Sequence, residues 1–514
     1  MKTILLHFIS RFFVIMSLVL ISKDAYSTHA QSADITYTCV GGNTYNVRLA
    51  FYRDCAGVAA PNTVSINVAS VSCGQNFNVN MNRIPNTGID VTPICPTMTS
   101  QCAGGNYPGV QEWVYQGNIT LPAQCIDWVL SFNLCCRNNA ISTINNPGGD
   151  NIYVEARINN LMFTCNNSPQ FSNRPVPFIC VSQNYCFNHG AIDSDGDSLV
   201  YQLIPPMTGP NTSVNYFPGY SAAQPLMSVP ATTINSATGD ICMTPTMLEV
   251  GVMAVRVSEY RNGEFVGSVI RDIQVRVIPC TNSNPSITGI NGGNNFSASV
   301  CAGQTLNFNI LSSDPDAAQN LSLSWNNAIA GASFTTNIAQ HPTGTFSWTP
   351  NSTMISSIPY CFTVTVTDDN CPLLGSQTYS FCITVTGFNI TASSTPANCG
   401  AANGTASVTV NGGNAPYSYS WSSGNNTASV NGLQAGNYTV NVSDATGCIM
   451  SANTLVAQGA APGNIQLSAQ NVSCFGGNDG AATVNANGGQ QPYTYQWSNG
   501  GTSATITGLT TGLY

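Results

Sequence analysis

Three aspartates alternate in the stretch DSDGDS, where Asp193, Asp195 and Asp197 stand around Gly196. Carboxylates this close repel one another unless a cation or solvent separates them, and calcium is the cation such oxygens would take. The stretch is no EF-hand loop, because the glycine comes too early and no Glu follows at the twelfth position. The other reading is an exposed, solvated acidic turn. A few residues upstream, CVSQNYCFNHG offers Cys180, Cys186 and His189 as zinc ligands. A fourth ligand is not evident, and disulfides are the better use of those cysteines outside the cytoplasm.

Catalytic chemistry finds little to work with. Past residue 30 the chain has only two histidines, His189 and His341, as bases for a Ser or Cys nucleophile. No G-x-S-x-G elbow, HExxH helix or phosphate loop occurs. For a paired-carboxylate glycosidase the Glu candidates are Glu112, Glu155, Glu249, Glu259 and Glu264. The expectation is a protein that is not an enzyme, with a hydrolase in residues 31–280 as the remote alternative.

The elements that must hold these groups are β-strands in an exported chain. At the N-terminus, Lys2 and Arg11 precede an apolar run from Phe12 to Ile21, and small residues follow at Ser27 and Ala30. That is the pattern of a secretory signal over residues 1–30, and the run is short for a membrane span. No later segment is apolar enough to span, so no membrane span is expected in the mature chain. Removing the signal leaves ten Arg, no Lys and twenty-one acids. Nucleic-acid binding needs cations for the phosphates, so it is excluded as a function. No basic residue follows Arg276, so trypsin has no site in the last 238 residues.

All twenty Cys follow the signal, and outside the cytoplasm disulfides are expected. Thirteen fall between Cys39 and Cys280, an odd number, so one is free or pairs elsewhere. Cys301, Cys361, Cys371 and Cys382 make an even set in the next segment, and Cys399 and Cys448 bracket a repeat and are expected to pair. The adjacent Cys135 and Cys136 are expected to have separate partners, because a bond between neighbours is strained.

GGNAPYSYSW…GLQAGNY, from Gly412 to Tyr438, recurs 76 residues later as GGQQPYTYQW…GLTTGLY, from Gly488 to Tyr514. Within each copy, segments such as TASVTV and YSYSW alternate in period two between Gly, Asn and Pro turns, which predicts antiparallel strands. Tyr417, Tyr419 and Trp421 share a face and read as a sandwich core, with a sugar-stacking platform as the alternative. The second copy ends at the counterpart of Tyr438, so a closing strand and a partner for Cys474 are expected beyond it. The two copies resemble the SprB repeat of large surface adhesins of gliding Bacteroidetes, on CFGGNDGAATVNANGGQQPYTYQWSNG and GLQAGNYTVNVSDATGC. That resemblance implies an outer-membrane-associated, cell-surface location in a Gram-negative bacterium, export by the type IX route and a link to gliding.

Residues 281–388, with SSDPD and TVTDDNCPLLGSQTYSFCITV, resemble cadherin-like and bacterial Ig-like domains. The resemblance implies weak calcium ligation by Asp314, Asp316 and Asp368; the alternative is that they simply cap turns. Residues 31–280 are similar to N-terminal regions of the same class of secreted proteins, and their last strands predict a hairpin turning at Arg261-Asn262-Gly263.

The expected fold is all-β, tandem Ig-like β-sandwich domains after a disulfide-rich β N-terminal region. The expected division is a signal at 1–30, a Cys-rich region at 31–280 with a break near 185, a sandwich at 281–388, a first repeat at 389–464 and a second, truncated one at 465–514. The expected function is a secreted adhesin or adhesive stalk whose partner is an extracellular glycan or other surface ligand. The alternative is a polysaccharide-binding module using Trp113, Trp128 or Trp348.

Overall fold

The computed structural model describes residues 30–175, 178–489 and 491–514; the signal read at 1–30 lies, but for Ala30, outside them. The described chain is strands joined by turns, with 3-10 pieces of three residues as its helices. It forms two compact units, one of residues 30–298, 306–348 and 358–383, the other of Ser299–Thr305, Thr349–Ser357 and Thr384–Tyr514.

In the first unit a hydrogen-bonded path of strands closes on itself. It runs from Glu264–Ile278 through Ala30–Gly41, Thr44–Asp54, Val110–Thr120, Gln75–Arg83, Thr63–Ser70, Trp128–Cys135 and Asn151–Ile158, and back to Glu264–Ile278. Closure removes edges that would otherwise be open to further pairing. Period-two alternation drives the ring: Tyr45, Val47, Leu49 and Phe51 point inward and are at most 2% exposed. Val250–Arg261 and Glu264–Ile278 form the predicted hairpin. Asn262 and Gly263 take φ of 55° and 85°, which suits the right-handed twist of the flanking strands.

Two buried ion pairs tie this ring together. Arg271 bonds Asp34 across neighbouring strands, and Arg137 makes a two-pronged contact with Asp272. All four side chains are at most 2% exposed. Removing one partner would strand a buried charge, so these pairs constrain the arrangement more than they add net stability.

Eight disulfides lie in this unit. Cys39–Cys165, Cys55–Cys102, Cys73–Cys125, Cys180–Cys280 and Cys186–Cys242 join segments within residues 31–280. The odd cysteine of that region is Cys95, bonded to Cys371. Cys361–Cys382 bridges directly opposed residues of Tyr360–Thr367 and its partner strand. Against expectation, Cys135 and Cys136 are bonded to each other. The peptide between them is cis.

Residues 306–383 of the first unit carry an aromatic core. Phe308, Phe346, Phe362 and Phe381 stack in series, with Phe346 and Phe362 centroids 4.5 Å apart. Trp325 meets Phe362 edge-on.

The second unit contains both repeats. The first is a sandwich of two three-stranded sheets. One is Phe388–Thr395, Gly404–Gly412 and Ser429–Leu433; the other is Ser418–Trp421, Gly436–Ser443 and Ile449–Val456. Trp421, Val430, Val440 and Val442 fill the space between them, with Tyr417 and Tyr419 packed against that core. The second copy rebuilds the first sheet alone, as Pro462–Gln470, Gly480–Gly488 and Thr505–Leu509. Its register matches: Ile465 faces Ala486 as Ile390 faces Val410. Ile390 packs against the core of its sandwich, whereas Ile465 and Leu467 are 63% and 70% exposed. Among the described residues of 465–514, the strands that cover this face in the first copy, Gly436–Ser443 and Ile449–Val456, have no counterpart.

The expected pairing of Cys399 with Cys448 is overturned. Cys448 is bonded to Cys301, and Cys399 and Cys474 are free and exposed. Cys399 lies in the turn beyond Thr395, while Cys448 closes the hairpin after Ser443. Asn414, past the far end of Gly404–Gly412, holds that hairpin through Asp444 and Ala445. The two cysteines therefore sit at opposite ends of strands about eight residues long, roughly 25 Å apart.

Candidate functional site

The turn after Ala191–Ile192 brings three carboxylates together, but not the three that alternate in sequence. Asp193 folds its Oδ1 back to accept from the backbone N–H of Asp195 and of Asp197. Gly196 supplies the φ of 79° at which a Cβ would be strained. Asp195 turns outward and is bound by the backbone and side-chain amides of Asn167. Asp197 takes a two-pronged contact from Arg261 Nε and Nη2 at 2.7 and 2.8 Å.

Glu259 takes the place vacated by Asp195. It stands on Val250–Arg261, fully buried, and a carboxylate oxygen from each of Asp193, Asp197 and Glu259 lies within 4.8 Å of the others. Glu259 Oε1 accepts from the Tyr37 hydroxyl at 3.2 Å. Glu259 Oε2 and Asp193 Oδ2 are buried and lack a well-formed hydrogen bond, although the Asn166 side chain and the two carboxyls themselves interact at Glu259. Burial first, and the neighbouring Asp193 charge among further causes, push the Glu259 carboxyl up to about 9. Burial likewise raises Asp193. The sequence held a sign of Glu259: it follows Val255 and Val257 on the inward side of a period-two strand, where an acid is out of place.

Asp314, Asp316 and Asp368 are used differently. Asp314 Oδ1 accepts from Asp316 N, and Asp316 Oδ2 accepts from Ser283 N. Asp368 takes the backbone amides of Asn370 and Gly375 and the side chain of Asn282. Among the described residues, no third carboxylate oxygen joins them within the reach found around Glu259.

The zinc reading of Cys180, Cys186 and His189 fails, since both cysteines are in disulfides. His189 is fully buried between Phe171 and Phe187, with Nδ1 facing the Arg271 guanidinium. The tryptophans offered for sugar stacking are also withdrawn. Trp128 and Trp348 are 0% and 2% exposed, and Arg83 lies over the ring of Trp113 at 4.3 Å. Among the described residues, no helix is long and apolar enough to cross a membrane.

Strands, disulfides and repeated modules define the class: an extracellular, modular, all-β protein. The SprB repeat family profile matches residues 391–426 and 467–502, which take in most of the first two strands of each copy and the aromatic segment that follows them. No curated protein matches the chain. Among solved structures it is similar to the N-terminal eight Ig domains of Down Syndrome Cell Adhesion Molecule, at 10% identity over 91% of this chain and 63% of that one, TM-score 0.24. It is also similar to EC1–4 of Drosophila N-cadherin, at 13% identity over 78% and 93%, TM-score 0.20. At such scores the description of the fold rests on the strand order given above.

Proposed function

We propose that the chain is a secreted, non-catalytic adhesin or adhesive stalk at the surface of a gliding bacterium. The observation that carries this is the pair of SprB repeats at residues 391–426 and 467–502. Nine disulfides accompany them and suit a chain that works outside the cell. The low charge fits adhesion through many weak polar and aromatic contacts, where tandem modules multiply a modest affinity. With Trp128 and Trp348 buried, a dedicated polysaccharide module has less support than a stalk.

Antibodies raised against the full chain should stain intact cells of the source organism, and loss of the gene should impair surface attachment and gliding. Staining confined to permeabilised cells would sink the surface assignment. On a glycan array, specific saturable binding by the full chain would favour the polysaccharide module over the stalk.

A further inference from the structure

We propose that Asp193, Asp197 and Glu259 form a calcium site that joins the 193–197 turn to the long hairpin. The first ground is the pair of buried oxygens without a well-formed hydrogen bond, Asp193 Oδ2 and Glu259 Oε2. A fully buried carboxylate oxygen left without a hydrogen bond is costly, and a second one facing it adds repulsion. Without metal the raised Glu259 carboxyl keeps its proton against Asp193; a cation between them would displace that proton and satisfy both oxygens.

The charge balance points the same way. Four acids, Asp193, Asp195, Asp197 and Glu259, gather around one guanidinium, that of Arg261. Arg261 holds Asp197 and donates to Asn166 Oδ1, and so lies to one side of those two oxygens. Each carboxylate oxygen has two lone pairs, so Asp197 can accept from Arg261 and still face a metal.

The donors are all oxygen, which selects a hard cation over zinc. Calcium tolerates irregular geometry and completes its six to eight ligands with water or carbonyls, whereas magnesium demands a near-ideal octahedron. Asp195 is not a ligand: it lies outside the group of oxygens within 4.8 Å of one another and is turned to Asn167, so its role is to anchor the turn. The bound ion would connect the turn, the strand Val250–Arg261 and, through Tyr37, the strand Ala30–Gly41.

The test is a calcium titration of the full chain, read by thermal melting in metal-free buffer, with magnesium as control. Expected is a saturable rise in Tm with calcium at concentrations typical of extracellular modules, about 0.1–1 mM, and little response to magnesium. Glu259→Gln should abolish the rise, and so should Asp193→Asn, while Asp195→Asn retains it. In metal-free buffer Glu259→Gln should melt close to the parent, because the amide keeps the shape of the buried carboxyl and can donate to Asp193 where a protonated carboxyl would, which shows that the variant folds. A parent Tm that stays flat in calcium overturns the proposal. So does a rise that persists in both Glu259→Gln and Asp193→Asn, which would place the ion elsewhere. A rise lost in Asp195→Asn but kept in Glu259→Gln would assign the ion to the exposed turn and equally overturn the site.

Discussion

Cys448 is bonded to Cys301 across 147 residues of sequence, with Cα atoms 5.3 Å apart. Cys448 lies in the hairpin between the last two strands of its module, and it bonds outside that module. Cys371 does the same: it sits between Tyr360–Thr367 and Ser376–Thr386 and bonds Cys95 in the N-terminal region. Two successive modules thus use the same hairpin to fasten themselves to an earlier part of the chain.

Breaking the Cys301–Cys448 bond by Cys448→Ser, paired with Cys301→Ala to avoid a stray thiol, should lower the stability of the second unit by about 2–5 kcal/mol. Differential scanning calorimetry should show the second unit's transition moving while that of the first stays. Cys399→Ser, which breaks nothing, should leave both in place. An equal effect from Cys399→Ser would restore the pairing first read from the sequence.

The same hairpin rule can be tested by adding a copy of Thr439–Val456 after Tyr514. Cys399 stands five residues before Gly404–Gly412, as Cys301 stands five before Leu306–Ser313. The cysteine of the added copy should therefore bond Cys399, and not Cys474, in a non-reducing chymotryptic peptide map. Hydrogen exchange should slow at Ile465 and Leu467 as the new strands cover them. A bond to Cys474 would show that the rule does not extend to this repeat.

Trp421 and Trp497 occupy equivalent positions but unequal surroundings. Trp421 is 3% exposed in a closed sandwich, so Trp421→Ala should cost about 3–5 kcal/mol. Trp497 is half-buried on an open sheet, and Trp497→Ala should cost about 1 kcal/mol. Urea melts of the two variants should differ clearly in midpoint. Equal losses would mean that the second sheet is covered in solution.

His189 predicts an acid-side weakness. Burial, then the Arg271 charge, hold its pKa well below the ordinary 6.5, so the ring is neutral in the fold. A depressed folded value means that the unfolded chain binds the proton better. The associated stability is present above about pH 6.5 and is lost as pH falls below it, by up to about 1.4 kcal/mol per unit. His189→Gln should remove that part of the slope, so its difference from the parent in urea midpoint should shrink between pH 7.5 and pH 5.5. Parallel losses in parent and variant would show that other groups carry the effect.

Much of this protein was legible in the linear chain because strand patterning is local. Alternation in TASVTV and in the strand containing Val255, Val257 and Glu259 marks which side chains face inward, and Asn262-Gly263 marks a tight hairpin. The repeat in register, the odd cysteine of residues 31–280 and the buried role of Trp421 follow from spacing and count alone. The partners of Cys95 and Cys448, and the free thiol of Cys399, did not, because a disulfide depends on which ends of distant strands converge, and a strand's length separates cysteines that merely bracket a repeat. The acidic group had the same limit. Alternation placed Asp193, Asp195 and Asp197 side by side, but the turn swings Asp195 to Asn167, and pairing of remote strands delivers Glu259 in its place. Local periodicity decided the elements; tertiary structure decided which charges and thiols meet.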